Sequence, residues 1–74
     1  MFRSVTFEVV GEQRLNCGAC EQRVTRLLKT LEGVGHVRAQ AEAQRIEVLF
    51  DAAVLEPRRI ADRLNEAGYE TTVA

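Results

Sequence analysis

The chain has no tryptophan, one proline, one histidine, one methionine and two cysteines in 74 residues, and its aromatic rings are three phenylalanines and one tyrosine. So few rings leave little to stack on unpaired bases. Neither sign of charge dominates. Ten basic against eleven acidic residues leave a net charge of -1, which removes the bulk attraction that brings nucleic-acid binders to phosphate. The opening Met1-Phe2-Arg3-Ser4-Val5-Thr6-Phe7 contains no apolar run long enough for a signal peptide or a membrane helix. A cytoplasmic protein without membrane insertion is therefore expected.

What is present fits one folded soluble domain spanning residues 1–74, with 46% hydrophobic and 28% charged residues and no linker or low-complexity tract. A domain this small has little room for an enclosed substrate pocket, so binding is expected and catalysis is not. Val5, Phe7 and Val9 alternate with Thr6, Glu8 and Val10, the period of a half-buried strand that Gly11 interrupts. Val24, Leu27, Leu28 and Leu31 form one apolar helical stripe, with Gly33 expected as the residue that ends the helix and Arg23, Arg26 and Lys29 on the opposite face. Val37, Ala39 and Ala41, then Ile46, Val48 and Phe50, alternate as a hairpin around a polar turn from Glu42 to Gln44. A second helix opens at Glu56-Pro57, turns Ile60, Leu64 and Ala67 inward and closes at Gly68; a last strand covers Tyr69 to Val73. This order is the ferredoxin-like βαββαβ arrangement, an α+β fold with a four-stranded antiparallel sheet and both helices on one face.

The two cysteines sit at the first strand-to-helix junction as Cys17-Gly18-Ala19-Cys20. A disulfide across so short a loop gives little entropic stabilisation, and in a reducing compartment such a pair is more often a metal or redox site than a staple. The topology brings Cys17, Cys20 and Tyr69 to one end of the sheet, beside the turn at Gln44. Cys20 falls in the first helical turn and Cys17 in the loop before it; the helix dipole favours thiolate, with Arg14 and Arg23 expected to add to the effect. Metal–sulfur bonds of about 2.3 Å put two sulfurs across one ion about 4 to 5 Å apart, which this spacing can reach. Two soft ligands suit Cu(I) best; Hg(II) fits the same geometry, and a zinc or cadmium binding domain of the same fold is a further alternative, although Zn(II) normally wants four protein ligands. His36 belongs at the start of the second strand, at the far end of the sheet, as a surface residue. A thiol-disulfide oxidoreductase is the alternative chemistry, although the chain is short, lacks tryptophan and uses Pro57 to open its second helix.

Leu15-Asn16-Cys17-Gly18-Ala19-Cys20, the Val24-to-Leu31 stripe, Leu31-Glu32-Gly33-Val34, Ile46-Glu47-Val48 and Glu66-Ala67-Gly68-Tyr69 together resemble the heavy-metal-associated domain family, over nearly the whole chain. That family includes small copper chaperones, mercury-binding periplasmic proteins and the amino-terminal domains of metal-pumping P-type ATPases. The resemblance implies that Cys17 and Cys20 hold one ion and pass it to a similar Cys-x-x-Cys domain of a partner such as a P-type ATPase. It also implies that Tyr69 lies close to the metal loop; the protein is expected to be a monomer, with a metal-bridged dimer as the other state. Two departures stand out. The family's usual methionine two residues before the first cysteine is Leu15, expected to support the loop by packing, and the glycine that normally precedes it is replaced by Arg14. Arg14, Arg23 and Arg26, with Lys29, make a basic surface beside the cysteines, expected to dock on an acidic partner.

Overall fold

The computed structural model describes residues 1–74, in the order β1 (Phe2–Val10), α1 (Gly18–Lys29), β2 (Val34–Gln40), β3 (Arg45–Asp51), α2 (Pro57–Glu66) and β4 (Glu70–Val73). The strands form one antiparallel sheet in the order β2-β3-β1-β4, the ferredoxin-like arrangement that the pattern predicts. Alternation sorts the side chains. Phe7 and Val9 of β1, Val37 of β2 and Ile46, Val48 and Phe50 of β3 face the helices and are buried, whereas Ser4, Glu8, Arg38 and Glu47 are exposed. Val24 and Leu28 of α1 and Ile60 and Leu64 of α2 complete a core that contains no buried charge. Each such side chain fully withdrawn from water contributes about 1.5 to 3 kcal/mol, which offsets the entropy of ordering the chain. No helix is long and apolar enough to cross a membrane.

Several boundaries differ from the sequence expectation. α1 ends at Lys29, so Leu31 lies outside it and Gly33 is not its terminal residue. The Thr30 hydroxyl donates to the Leu27 carbonyl at 2.6 Å, occupying an acceptor that a continuing helix would use. Gly33 instead adopts φ +98 in the turn into β2, and Leu31 still packs against the core from that turn. β1 is longer than the alternation suggests, and it ends at Val10, with Gly11 (φ +83) already in the following loop. β2 begins at Val34, with a register irregularity between Val34 and His36; Ala41 belongs to the hairpin turn rather than to the strand.

Candidate metal centre

The loop from Gly11 to Asn16 brings the chain from the end of β1 back over the core. Leu15 anchors it, buried at 2% exposure among the core side chains, as its position before the cysteines predicts. The backbone of Leu15 is gripped as well. Its N–H donates to Gln44 Oε1 at 3.0 Å, and its carbonyl accepts from Gln44 Nε2 at 2.6 Å. Two residues later the chain is extended at Cys17 (φ -164), the N-cap of α1. The Cys17 carbonyl accepts from the N–H groups of Cys20 at 3.0 Å and Glu21 at 3.1 Å, which starts the helix. No side chain caps this helix start, so the unpaired amide groups and positive dipole end of α1 lie beside the cysteines.

Both cysteines are free; Cys17 is exposed and Cys20 half-buried. Hydrogen bonding from the Asn16 backbone is the main cause holding the Cys20 thiol below its ordinary pKa; partial burial opposes it, and the Cys17 backbone, the Arg23 guanidinium and, least of all, the Tyr69 hydroxyl reinforce it. Tyr69 is brought to the cysteine end by the way α2 ends. Gly68 (φ +97) donates to the Asn65 carbonyl at 2.9 Å and Tyr69 N–H to the Leu64 carbonyl at 3.0 Å, a Schellman closure that folds Tyr69 back onto Leu64. Both side chains are buried. The ring of Tyr69 thus belongs to the core while its hydroxyl faces Cys20.

The Heavy-metal-associated domain pattern matches residues 13–70, most of the chain. The chain belongs to that family. It is 32% identical over 65 residues to the copper chaperone CopZ of Bacillus subtilis, covering 88% of this chain and 90% of CopZ. It is also 32% identical over 59 residues to the copper-transporting ATPase 1 of Rattus norvegicus, covering 80% of this chain but only 4% of that much longer protein. Among solved structures, oxidized MerP from Ralstonia metallidurans CH34 superposes with a TM-score of 0.85 at 29% identity, covering 99% of this chain and 97% of MerP. Membership of the heavy-metal-associated family makes this a metal-binding carrier domain.

Within that frame, Cys17, Cys20, Leu15 and Tyr69 come together at one end of the sheet. His36 is exposed on β2, paired with Leu49 toward the opposite end. No group of three or more His, Cys, Asp or Glu side chains is arranged to hold a metal ion, so the soft donors on offer are the two thiols. Arg23, Arg26 and Lys29 are exposed on α1, as their spacing predicts. Arg14 departs from expectation. Its guanidinium turns back to the Val9 carbonyl at 3.2 Å, and the positive charge acting on Cys20 is that of Arg23. Sequence reasoning placed Gln44 beside the loop but missed its grip on Leu15, and missed the Glu21 carboxylate that accepts from Ala41 N–H at 2.7 Å. The one available signal was a glutamine at the end of a hairpin turn where glycine or asparagine is usual.

Proposed function

We propose that the protein is a Cu(I) carrier that holds one ion between the thiolates of Cys17 and Cys20 and delivers it to a metal-transporting P-type ATPase. The observation that carries this reading is the pair of free thiols flanking the uncapped first turn of α1, exposed enough for exchange and without a third ligand. Two soft donors satisfy Cu(I), which tolerates low coordination and prefers thiolate. Hg(II) fits the same donor set, whereas Zn(II) would recruit a buffer ligand or a second molecule. The similarity to CopZ supports copper, and the similarity to an ATPase segment supports a partner of like fold. The domain over residues 1–74 works in the cytoplasm, monomeric except where metal bridges two copies through their cysteines.

Competition titration with a Cu(I) chelator under reducing, anaerobic conditions tests the site. Wild type should bind one ion, and Cys17→Ser and Cys20→Ser should each lose tight binding; wild-type affinity in both variants would overturn the assignment. Delivery uses the exposed Arg23 and Arg26, with Lys29 and Arg14 at the margins, against an acidic face of the partner. Association is transient and weakens as salt rises. Reversing Arg23 and Arg26 to Glu should slow transfer to an ATPase domain at low salt while leaving copper affinity intact. Unchanged transfer kinetics from low to high salt would remove these residues from docking.

A further inference from the structure

The hairpin turn Ala41–Gln44 touches the cysteine segment on both of its flanks. Ahead of the cysteines, Gln44 accepts from Leu15 N–H at 3.0 Å and donates to the Leu15 carbonyl at 2.6 Å, so one side-chain amide serves Leu15 as a paired strand residue would. Behind them, Glu21 Oε2 accepts from Ala41 N–H at 2.7 Å. Gln44 Nε2 also donates to the Ala41 carbonyl at 2.6 Å, closing a path from Leu15 through Gln44 and Ala41 to Glu21 around the two thiols. Gln44 is itself anchored, since its carbonyl accepts from Val9 N–H at 2.8 Å. Its backbone lies at φ +53, in the left-handed region that glycine occupies without steric cost, and it is the one residue with a side chain to do so. A side chain persists in such a conformation where its surroundings hold it there, and this one is held by its bonds to Val9 and Ala41 together with the double hydrogen bond to Leu15.

We propose that Gln44 is a positioning residue for the metal loop, splinting Leu15 to the hairpin so that Cys17 and Cys20 are already placed to close on one ion. The proposal rests on the carrier reading above. Without the splint, Leu15 keeps its buried side chain but its backbone groups are released, and binding must then order the segment entering Cys17. Ordering at the moment of binding weakens affinity and speeds loss of the ion. The Glu21 contact fixes the other flank, so Gln44 governs the entering side alone.

The test uses Gln44→Gly, which relieves the backbone and removes the amide, and Gln44→Asn, which keeps an amide in a residue that tolerates positive φ but is one methylene too short. Melting temperature, hydrogen exchange at Leu15 N–H and Cu(I) affinity by chelator competition are read on the whole reduced protein. In both variants the melting temperature should hold or rise, Leu15 N–H should exchange faster while core strand amides do not, and the Cu(I) dissociation constant should rise roughly tenfold, about 1.4 kcal/mol. A turn residue with only a structural role would leave affinity unmoved at unchanged melting temperature. Wild-type affinity and wild-type Leu15 exchange in the variants would overturn the positioning role and leave the carrier reading standing. A wild type that binds no Cu(I) would overturn the carrier reading and the positioning with it.

Discussion

The two ends of the sheet are built differently. At the far end, the connections at Thr30–Gly33 and Ala52–Glu56 are closed mainly by local backbone bonds: Leu31 and Val34 N–H to the carbonyls of Leu28 and Leu31, and Val54 and Leu55 N–H to that of Asp51. Pro57 at the start of α2 removes one of the amide groups that a helix terminus leaves unpaired. At the cysteine end, side chains reach across 29 residues from Gln44 to the Leu15 backbone and across 20 from Glu21 to the Ala41 N–H. Neither helix start carries a side-chain cap, but α1, without a proline there, keeps all its terminal amide groups. A site that needs its amide groups turned toward thiols cannot close itself with a tight local turn, so its rigidity comes from the hairpin next door. The cost is that this end depends on partly buried side chains reaching between distant parts of the chain, whereas the long-range bonds of the other end are backbone pairs, Asp51 N–H to the Gly33 carbonyl and Ala52 N–H to the Met1 carbonyl, and the exposed Met1–Asp51 ion pair.

The largest effect should separate the two ends through their anchoring leucines. Leu15 is sealed in the core at 2% exposure, whereas Leu31 is half-buried in its turn. Leu15→Ala should cost about 2 to 5 kcal/mol in urea unfolding and loosen the metal loop, while Leu31→Ala should cost clearly less and leave copper affinity unchanged. Leu15→Met should cost under about 1.5 kcal/mol, because volume is conserved. Equal losses in the two alanine variants would show that the ends are equally dependent on packing and would break the contrast.

The same contrast explains which parts were legible in the sequence. Period-two alternation in Phe7 and Val9 or in Ile46, Val48 and Phe50, and the Val24-Leu28 stripe, report burial directly, so the order of elements along the chain and the core could be read off. The cysteines stood out because a short spacing at a strand-to-helix junction limits what they can do. The end of α1 at Lys29 was hidden because a threonine hydroxyl, not a glycine, stops the helix. The splint was hidden for a different reason. Gln44, Ala41 and Glu21 carry no periodicity, and whether an amide reaches a backbone 29 residues away is decided by the register of β1 on β3, which no local pattern encodes. Arg14 looked like Arg23 as a charge near the thiols, and only the fold shows it turned to Val9.

A middle-sized effect should come from the two glycines of nearly equal backbone angle, Gly33 (φ +98) and Gly68 (φ +97), one at each end. Alanine at either should cost about 1 to 3 kcal/mol, since a Cβ is disfavoured at such angles. The neighbours differ. A Cβ at Gly33 meets Val54 and Leu55, whereas one at Gly68 runs into the side chain of Gln13 on the loop ahead of the cysteines. Both variants should lose comparable stability, but only Gly68→Ala should alter the site, by moving Tyr69 away from Cys20. Thiol alkylation rates that change equally in the two variants would show that the far end communicates with the cysteines.

The smallest effects are in pH dependence, and they fall in different ranges at the two ends. At the cysteine end the Cys20 thiol is held below its ordinary value, first by the Asn16 backbone and more weakly by Arg23 and then Tyr69. Removing the weaker causes should move the midpoint of Cys20 alkylation to higher pH, with Arg23→Gln moving it further than Tyr69→Phe. At the far end the Asp51 carboxyl is held below its ordinary value by the Ala53 N–H and then by the Met1 ammonium, 3.1 Å away. Its folded-state pKa lies below the unfolded one, so its stabilisation is complete above the unfolded value of about 3.9 and is lost as pH falls through the folded value. Asp51→Asn retains an oxygen for Ala53 N–H and loses only the charge. Wild type should therefore be slightly the more stable near neutrality, with the gap closing in acid and with no accompanying change in thiol reactivity. A gap that persists undiminished in acid would show that Asp51 acts through packing, and a shift in Cys20 alkylation in the same variant would show that the two ends are electrostatically coupled after all.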